Sequence, residues 1–285
     1  MNQPERRRFL IEELLRERNV EESGKESENK TYRNKPGYTR NRDSNRNIAI
    51  PTDSQAQKQL LRALMNLRLA APVSEEFRMI QDEYLQAENT AKGIVTLDLI
   101  PEVHDDLYLW QGDITRLKVG AIVNAVNSGM TGCYQPCHAC IDNCIHTYAG
   151  IELRNYCQEM MDRQGFEEPT GQAKITPAFN LPCDYVIHTV GPVWHGGDHG
   201  EAELLASCYR RSLQVAAEHG IRRIAFPSIS TGVYHYPVKE AAKIAVGTVA
   251  EFLEEHPDAF DVVEWVLFDD NTMQVYEQAI AEVCD

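Results

Sequence analysis

The chain has 285 residues, enough for one large domain or a domain with an appendage, and its 43% hydrophobic content suffices for a buried core. A net charge of −15 sets an acidic field against any phosphate backbone and argues against nucleic-acid binding. No apolar run approaches the roughly 18 residues that cross a bilayer, and the opening MNQPERRRFL is too charged for a secretory signal, so a soluble, cytoplasmic protein with no membrane partner is expected.

In chain order, Phe9, Leu10, Leu14 and Leu15 recur at helical spacing and predict a short amphipathic helix over 5–19. Residues 22–47 are dense in Asn, Arg, Lys and Ser and nearly free of large aliphatics, so they read as a loop or disordered linker. TDSQ at 52–55 has the spacing of a capping box, with Thr52 as N-cap and Gln55 at N3, ahead of Leu60, Leu61, Leu64 and Leu67. A further helix is predicted over 74–89. Residues 1–104 are therefore read as an N-terminal helical extension and 105–285 as the main domain.

From about residue 107 the texture alternates. Branched apolar runs at 121–126, 185–191, 222–230 and 263–269 predict strands, and helical patterns near 142–164, 201–219, 237–255 and 272–283 separate them. Such alternation favours an α/β fold, a mixed, largely parallel sheet with helices on both faces. Ligands of such sheets sit outside the carboxyl ends of the strands. Two loops fall there. NAVNSGMTG offers Asn124, Asn127 and two glycines, suited to ribose hydroxyls and close backbone approach. SISTGVY places small hydroxyl residues and a glycine ahead of a helix, where N–H groups and the helix dipole favour an anion. Neither loop has a GxxxxGK[ST] or GxGxxG pattern, which disfavours triphosphates and conventional dinucleotides.

Between them, GCYQPCHACIDNCIH at 132–146 packs four cysteines and two histidines into fifteen positions. In a reducing compartment such a cluster reads as metal-binding or catalytic rather than as a disulfide framework. Cys133, His138 and Cys140 form a C-x4-H-x-C set that suits Zn²⁺ and leaves a fourth position open, as in catalytic sites. Adding Cys137 gives instead a closed Cys3His structural site. Cys144 and His146 read as a small apolar residue and a satisfied core histidine, and Cys157, Cys183, Cys208 and Cys284 as packing residues.

LWQGDITRLKVGAIVNAVNSGM, IDNCIHTYAG, TGQAKITPAFNLPCDYVIHTVGP and IAFPSISTGVYHYP together resemble the macrodomain, in particular its MacroD-type ADP-ribosyl hydrolase branch, over about residues 105–283. Where that branch carries a poly-glycine stretch this chain has GCYQPCHAC, which resembles a zinc-containing microbial subgroup. The resemblance implies a three-layer α/β/α sandwich and one zinc per chain, with Cys133, His138 and Cys140 as ligands. It implies that Asp113 accepts from the adenine amino group with Ile114 beside it, and that Asn127 contacts the distal ribose. Asp142, with Asn127, would be catalytic. Ser230, Thr231, Gly232, Val233 and Tyr234 would cradle the diphosphate, and Phe268 would lie against the adenine. The implied activity is zinc-dependent removal of mono-ADP-ribose from protein side chains. The implied partners are a lipoyl-carrier protein as target and a sirtuin-class ADP-ribosyltransferase. A reader module that binds ADP-ribose without cleaving it, and a deacetylase of O-acetyl-ADP-ribose, are the competing readings.

Overall fold

The computed structural model describes residues 1–23, 48–104 and 106–284. Apart from residues 22 and 23, which belong to the first helix, the expected linker at 22–47 lies outside the described residues.

Three helices open the chain: α1 (Gln3–Ser23), α2 (Ser54–Leu67) and α3 (Glu75–Lys92). The periodic apolar residues build a core of their own, in which Leu10, Ile11 and Leu14 meet Leu61, Leu64, Met65, Phe77, Tyr84 and Leu85. Arg68 grips Glu17 with two bonds of 2.8 Å and closes the end of this bundle. The start of α2 corrects the capping prediction. Asp53, not Thr52, is the N-cap, its carboxylate accepting from Ala56 N–H at 2.7 Å.

The rest of the chain folds around a sheet. The strands are β1 (Val95–Thr96), β2 (Glu102–His104), β3 (Leu107–Gln111), β4 (Leu117–Lys118), β5 (Ala121–Val126), β6 (Ala173–Pro177), β7 (Tyr185–Val190), β8 (Arg223–Phe226) and β9 (Val262–Leu267). The intervening helices are α4 (Ile141–Ala149), α5 (Ile151–Gln164), α6 (Glu201–Glu218), α7 (Val238–Glu255) and α8 (Asp270–Cys284). Seven strands form one sheet in the order β2-β3-β9-β8-β5-β7-β6, while β1 and β4 pair separately. The five central strands run parallel and the two edges are antiparallel. A mixed, largely parallel sheet between helical layers was expected and is found.

Side-chain alternation along the central strands divides the core. Ala121 and Val123 face the cluster under α6, α7 and α8, whereas Ile122 faces the opposite one, with Ile145, Leu153 and Cys157 of α4 and α5. The predicted helix over 142–164 is two helices broken at Gly150, which has a φ of +100°. A Cβ there would stand 2.8 Å from the Gln81 amide of α3, which accepts from Ile151 N–H at 2.9 Å. The N-terminal bundle is thus fitted into the break between α4 and α5.

Candidate active site

The five parallel strands end on one side of the sheet, and the residue following each of them lines a single cleft: Gly112 after β3, Asn127 after β5, Gly191 after β7, Pro227 after β8 and Phe268 after β9. The cleft has a volume of about 1310 Å³. Of the residues singled out in the sequence, Ile114, Asn127, Cys133, His138, Cys140, Asp142, Ser230, Thr231, Gly232, Val233, Tyr234 and Phe268 all line it.

Asp113 does not. Its side chain caps the turn that follows β3, Oδ1 accepting from Thr115 N–H at 3.0 Å and from Thr115 Oγ1 at 2.6 Å, while Oδ2 lies 3.8 Å from Lys92 Nζ of α3. Asn124 departs further from its sequence reading. It is fully buried in β5 and turned away from any ribose, so that its amide donates to Asp142 Oδ1 at 3.0 Å. Asn127 lines the cleft, yet its own amide braces the loop, Oδ1 accepting from Gly129 N–H at 3.0 Å and Nδ2 donating to Gly132 O at 3.4 Å. Phe268 is 69% exposed at the rim, an open aromatic face rather than a core residue.

The loop after β8 is shaped to meet an anion. Within the loop, Tyr236 N–H donates to Ser230 O, His235 N–H to Gly232 O and Thr231 Oγ1 to Ser228 O. The N–H groups of residues 231–234 are left without a partner among the described residues. Ser230 occupies the left-handed region at φ +66°, and its buried hydroxyl also lacks a partner among the described residues. Gly191 opposite is required by shape, because a Cβ there would lie 2.2 Å from that hydroxyl. Strained backbone and unsatisfied donors on a cleft wall mark a ligand site.

The other wall carries the cysteine loop. Cys133 Sγ lies 3.7 Å from His138 Nδ1, and the donor atoms of Cys133, His138 and Cys140 all lie within 4.8 Å of one another. Two tetrahedral zinc ligands, one sulfur and one nitrogen, are about 3.6 Å apart by ordinary bond lengths, so the donor set and its spacing fit zinc. Cys137 stands outside the set, exposed, its thiol donating to Gln59 O at 3.4 Å. The Cys3His alternative therefore has no geometry behind it. Cys140 is the N-cap of α4, where its sulfur accepts from Asn143 N–H at 3.4 Å and the helix dipole favours a thiolate. The hydrogen bond between Cys140 and Cys133 pulls the Cys133 thiol down to about 5 and pushes that of Cys140 up. Two sulfurs and an imidazole nitrogen so close together are donors that a cation would bind in place of protons.

Asp142 follows in the first turn of α4, 4% exposed. Burial pushes its carboxyl up to about 7, against the Asn124 bond that favours the charged form. Beneath it lies a buried polar network that sequence reasoning missed. His188 pairs with Asn124 across β5 and β7, its Nδ1 3.3 Å from Asn124 Nδ2 and its Nε2 2.9 Å from Thr176 Oγ1. His146 Nε2 lies 3.5 Å from Asp142 Oδ1, and Cys157 Sγ 4.0 Å from His188 Nε2. His146, Cys157 and His188 also come close enough for a metal, but both ring nitrogens of His188 are engaged and burial pushes the Cys157 thiol up to about 12. That trio behaves as neutral packing beneath Asp142. His146 is not the satisfied core histidine expected, since neither ring nitrogen has a hydrogen-bond partner among the described residues. No spacing rule links Asn124, His146, Cys157 and His188; only the α4 helical interval from Asp142 to His146 was available as a signal.

A family model described as "Macro domain" matches residues 123–245. A Treponema medium protein named protein-ADP-ribose hydrolase is 51% identical over 268 residues, 92% of this chain and 94% of its own length. A Staphylococcus aureus (strain MSSA476) protein of the same name is 43% identical over 242 residues, 84% of this chain and 91% of its own. Both spans exceed what residues 105–285 can supply, so they reach into the N-terminal helices. Among solved structures, an Oceanobacillus iheyensis macrodomain with MES bound is 40% identical with a TM-score of 0.59, covering 65% of this chain and 96% of that one. A Trypanosoma brucei macrodomain in complex with ADP-ribose is 31% identical with a TM-score of 0.60, covering 74% and 93%.

Proposed function

Because the chain belongs to the macrodomain family, we propose that its cleft binds ADP-ribose and that the protein hydrolyses mono-ADP-ribose from modified protein side chains. The observation that carries this reading is the placement of Asp142 in the same cleft as the Cys133, His138 and Cys140 trio, two residues beyond Cys140. A module that only holds ADP-ribose has no use for a buried carboxylate and a cluster of metal donors side by side. The relatives named protein-ADP-ribose hydrolase, matched over nearly their whole length, support the same activity.

The ligand is laid out by the residues present. Phe268 offers its open face to the adenine, with the Ile114 backbone at that end and Asp113 behind it bracing the turn. The unpartnered N–H groups of residues 231–234, together with the Ser230 hydroxyl, receive the diphosphate. The distal ribose then lies against Asn127 and Asp142. The bond to be cut joins its anomeric carbon to the protein, and breaking it builds positive charge on the ring, as in glycoside cleavage. Asn124 occupies Asp142 Oδ1 and leaves Oδ2 to face that charge or to orient the attacking water.

Zinc, one per chain, would be held by Cys133, His138 and Cys140, and when bound it supplies a polarising cation or a water of lowered pKa. A cytoplasmic location is part of this reading, supported by a cluster of unpaired cysteines that suits a reducing compartment. The specific target proposed is a lipoyl-carrier protein modified by a sirtuin-class transferase, as the family resemblance implies.

The test is incubation of the purified protein with mono-ADP-ribosylated protein, with and without a chelator, and chromatography of the products. Free ADP-ribose that disappears on chelation is expected. Binding of ADP-ribose with no release from acidic-residue-, serine- and arginine-linked substrates would establish a reader, and turnover of O-acetyl-ADP-ribose alone would establish the deacetylase.

A further inference from the structure

The loop that carries the metal donors is not held by the macrodomain core alone. Cys137, in its middle, adopts a left-handed backbone with φ +55°, a conformation that a non-glycine residue keeps only when its surroundings fix it. The fixing group comes from the N-terminal extension. Asn66 of α2, 1% exposed, accepts from Cys137 N–H at 2.9 Å, and its amide donates to Thr147 Oγ1 of α4 at 2.9 Å. One turn earlier on α2, Arg62 Nη2 donates to His138 O at 2.7 Å and to Asn143 Oδ1 at 2.9 Å. Asn143 in turn donates to Gln135 O at 2.9 Å, inside the loop.

The loop's entry is tied to the same helix. Arg154 of α5 donates through Nη1 to Met65 O at 2.9 Å and Asn66 O at 3.0 Å, at the carboxyl end of α2, and through Nε to Thr131 O at 2.7 Å. Its guanidinium also stacks on the Tyr134 ring at 4.4 Å. Helix α2 therefore grips the segment directly at Cys137 and His138, and through Arg154 of α5 at Thr131, ahead of the three donor residues and between the first and the last of them.

We propose that Asn66 and Arg62 are positioning residues of the metal centre, and that the N-terminal extension is a working part of that centre. Two of the bonds are made to the loop backbone at residues 137 and 138, so they set the path of the chain between Cys133 and Cys140 and the orientation of His138. A donor set whose spacing is held before the ion arrives loses less conformational entropy on binding. The inference rests on the metal reading given above, and concerns which residues make that site tight.

The experiment uses the full chain. Zinc affinity is measured by competition with a chromophoric chelator, and the cobalt(II)-substituted protein reports donor geometry through its thiolate-to-cobalt charge-transfer bands. Asn66→Ala and Arg62→Ala are each expected to weaken zinc by roughly 10- to 100-fold and to alter the cobalt spectrum. Asn66→Asp, which keeps the acceptor for Cys137 N–H, is expected to recover most of the affinity. Retained ADP-ribose binding by calorimetry certifies that a variant is folded; should one alanine variant fail this check, the other and the aspartate variant decide. Folded alanine variants with wild-type zinc affinity and cobalt spectrum would overturn the proposal. A wild-type chain that takes up no stoichiometric zinc would overturn the metal reading itself, a separate and recognisable failure.

Discussion

Glu264 is fully buried in β9, on the strand face that carries Val266 toward α4 and α5, and neither carboxylate oxygen has a hydrogen-bond partner among the described residues. Burial pushes its pKa from 4.5 to about 8. Between these values the folded chain keeps a proton that the unfolded chain has released, so stability is lost as pH rises through that window. Glu264→Gln should therefore match the wild type near pH 5 and exceed it above pH 8, on the order of 2–4 kcal/mol by urea unfolding. Equal pH slopes for the two chains would mean that this carboxylate is already charged and compensated. Nothing in the β9 sequence VVEWVL announces this, because one acidic residue in an apolar run reads equally as a bulge or an edge. The candidate metal donors were legible as a cluster for the opposite reason. Cys133, His138 and Cys140 lie within eight residues, and local spacing is what a sequence displays. Asn124 was misread as a ribose contact, since its bond to Asp142 spans 18 positions and has no spacing signature.

At the scale of elements, the loop from Ser228 to Tyr236 reads from sequence as an anion cradle only beside the Asn127 loop, because small hydroxyl residues and glycine before a helix serve equally to cap a turn. The structure adds that Gly232 is not needed for its backbone. Its φ lies outside the left-handed region, and a Cβ there meets no atom within 4 Å. Gly232→Val should accordingly fold with an unchanged melting temperature while filling the space meant for the diphosphate. ADP-ribose affinity should fall by about tenfold or more, a loss of at least ~1.4 kcal/mol; wild-type affinity by calorimetry would place the anion elsewhere. The alternation of apolar runs yielded four of the five parallel strands of the sheet. It missed the short edges β2 and β6, where one face or neither is buried, and it missed the break at Gly150. That break depends on Gln81, 70 residues before Ile151, a packing event that helical periodicity cannot register.

Across the whole molecule, the charge of −15 and the cleft are reconciled by where the anion is received. In the proposed binding mode the diphosphate would meet main-chain N–H groups and a helix start rather than a basic patch, so an acidic protein could hold an anionic ligand without a cationic surface to attract polynucleotides. The fold converges all five parallel strand ends on that cleft, and the N-terminal helices, which sequence patterning reads only as an appendage, reach the cysteine loop through hydrogen bonds spanning 71 and 76 residues. The account's central claim is that this convergence is catalytic and that Asp142 performs the chemistry. Its most direct test is turnover of a mono-ADP-ribosylated protein by wild type and Asp142→Ala, alongside ADP-ribose affinity by calorimetry for both. The account predicts a loss of roughly 10²- to 10⁴-fold in release of free ADP-ribose with affinity kept within about tenfold. An Asp142→Ala chain that releases ADP-ribose at the wild-type rate would contradict it.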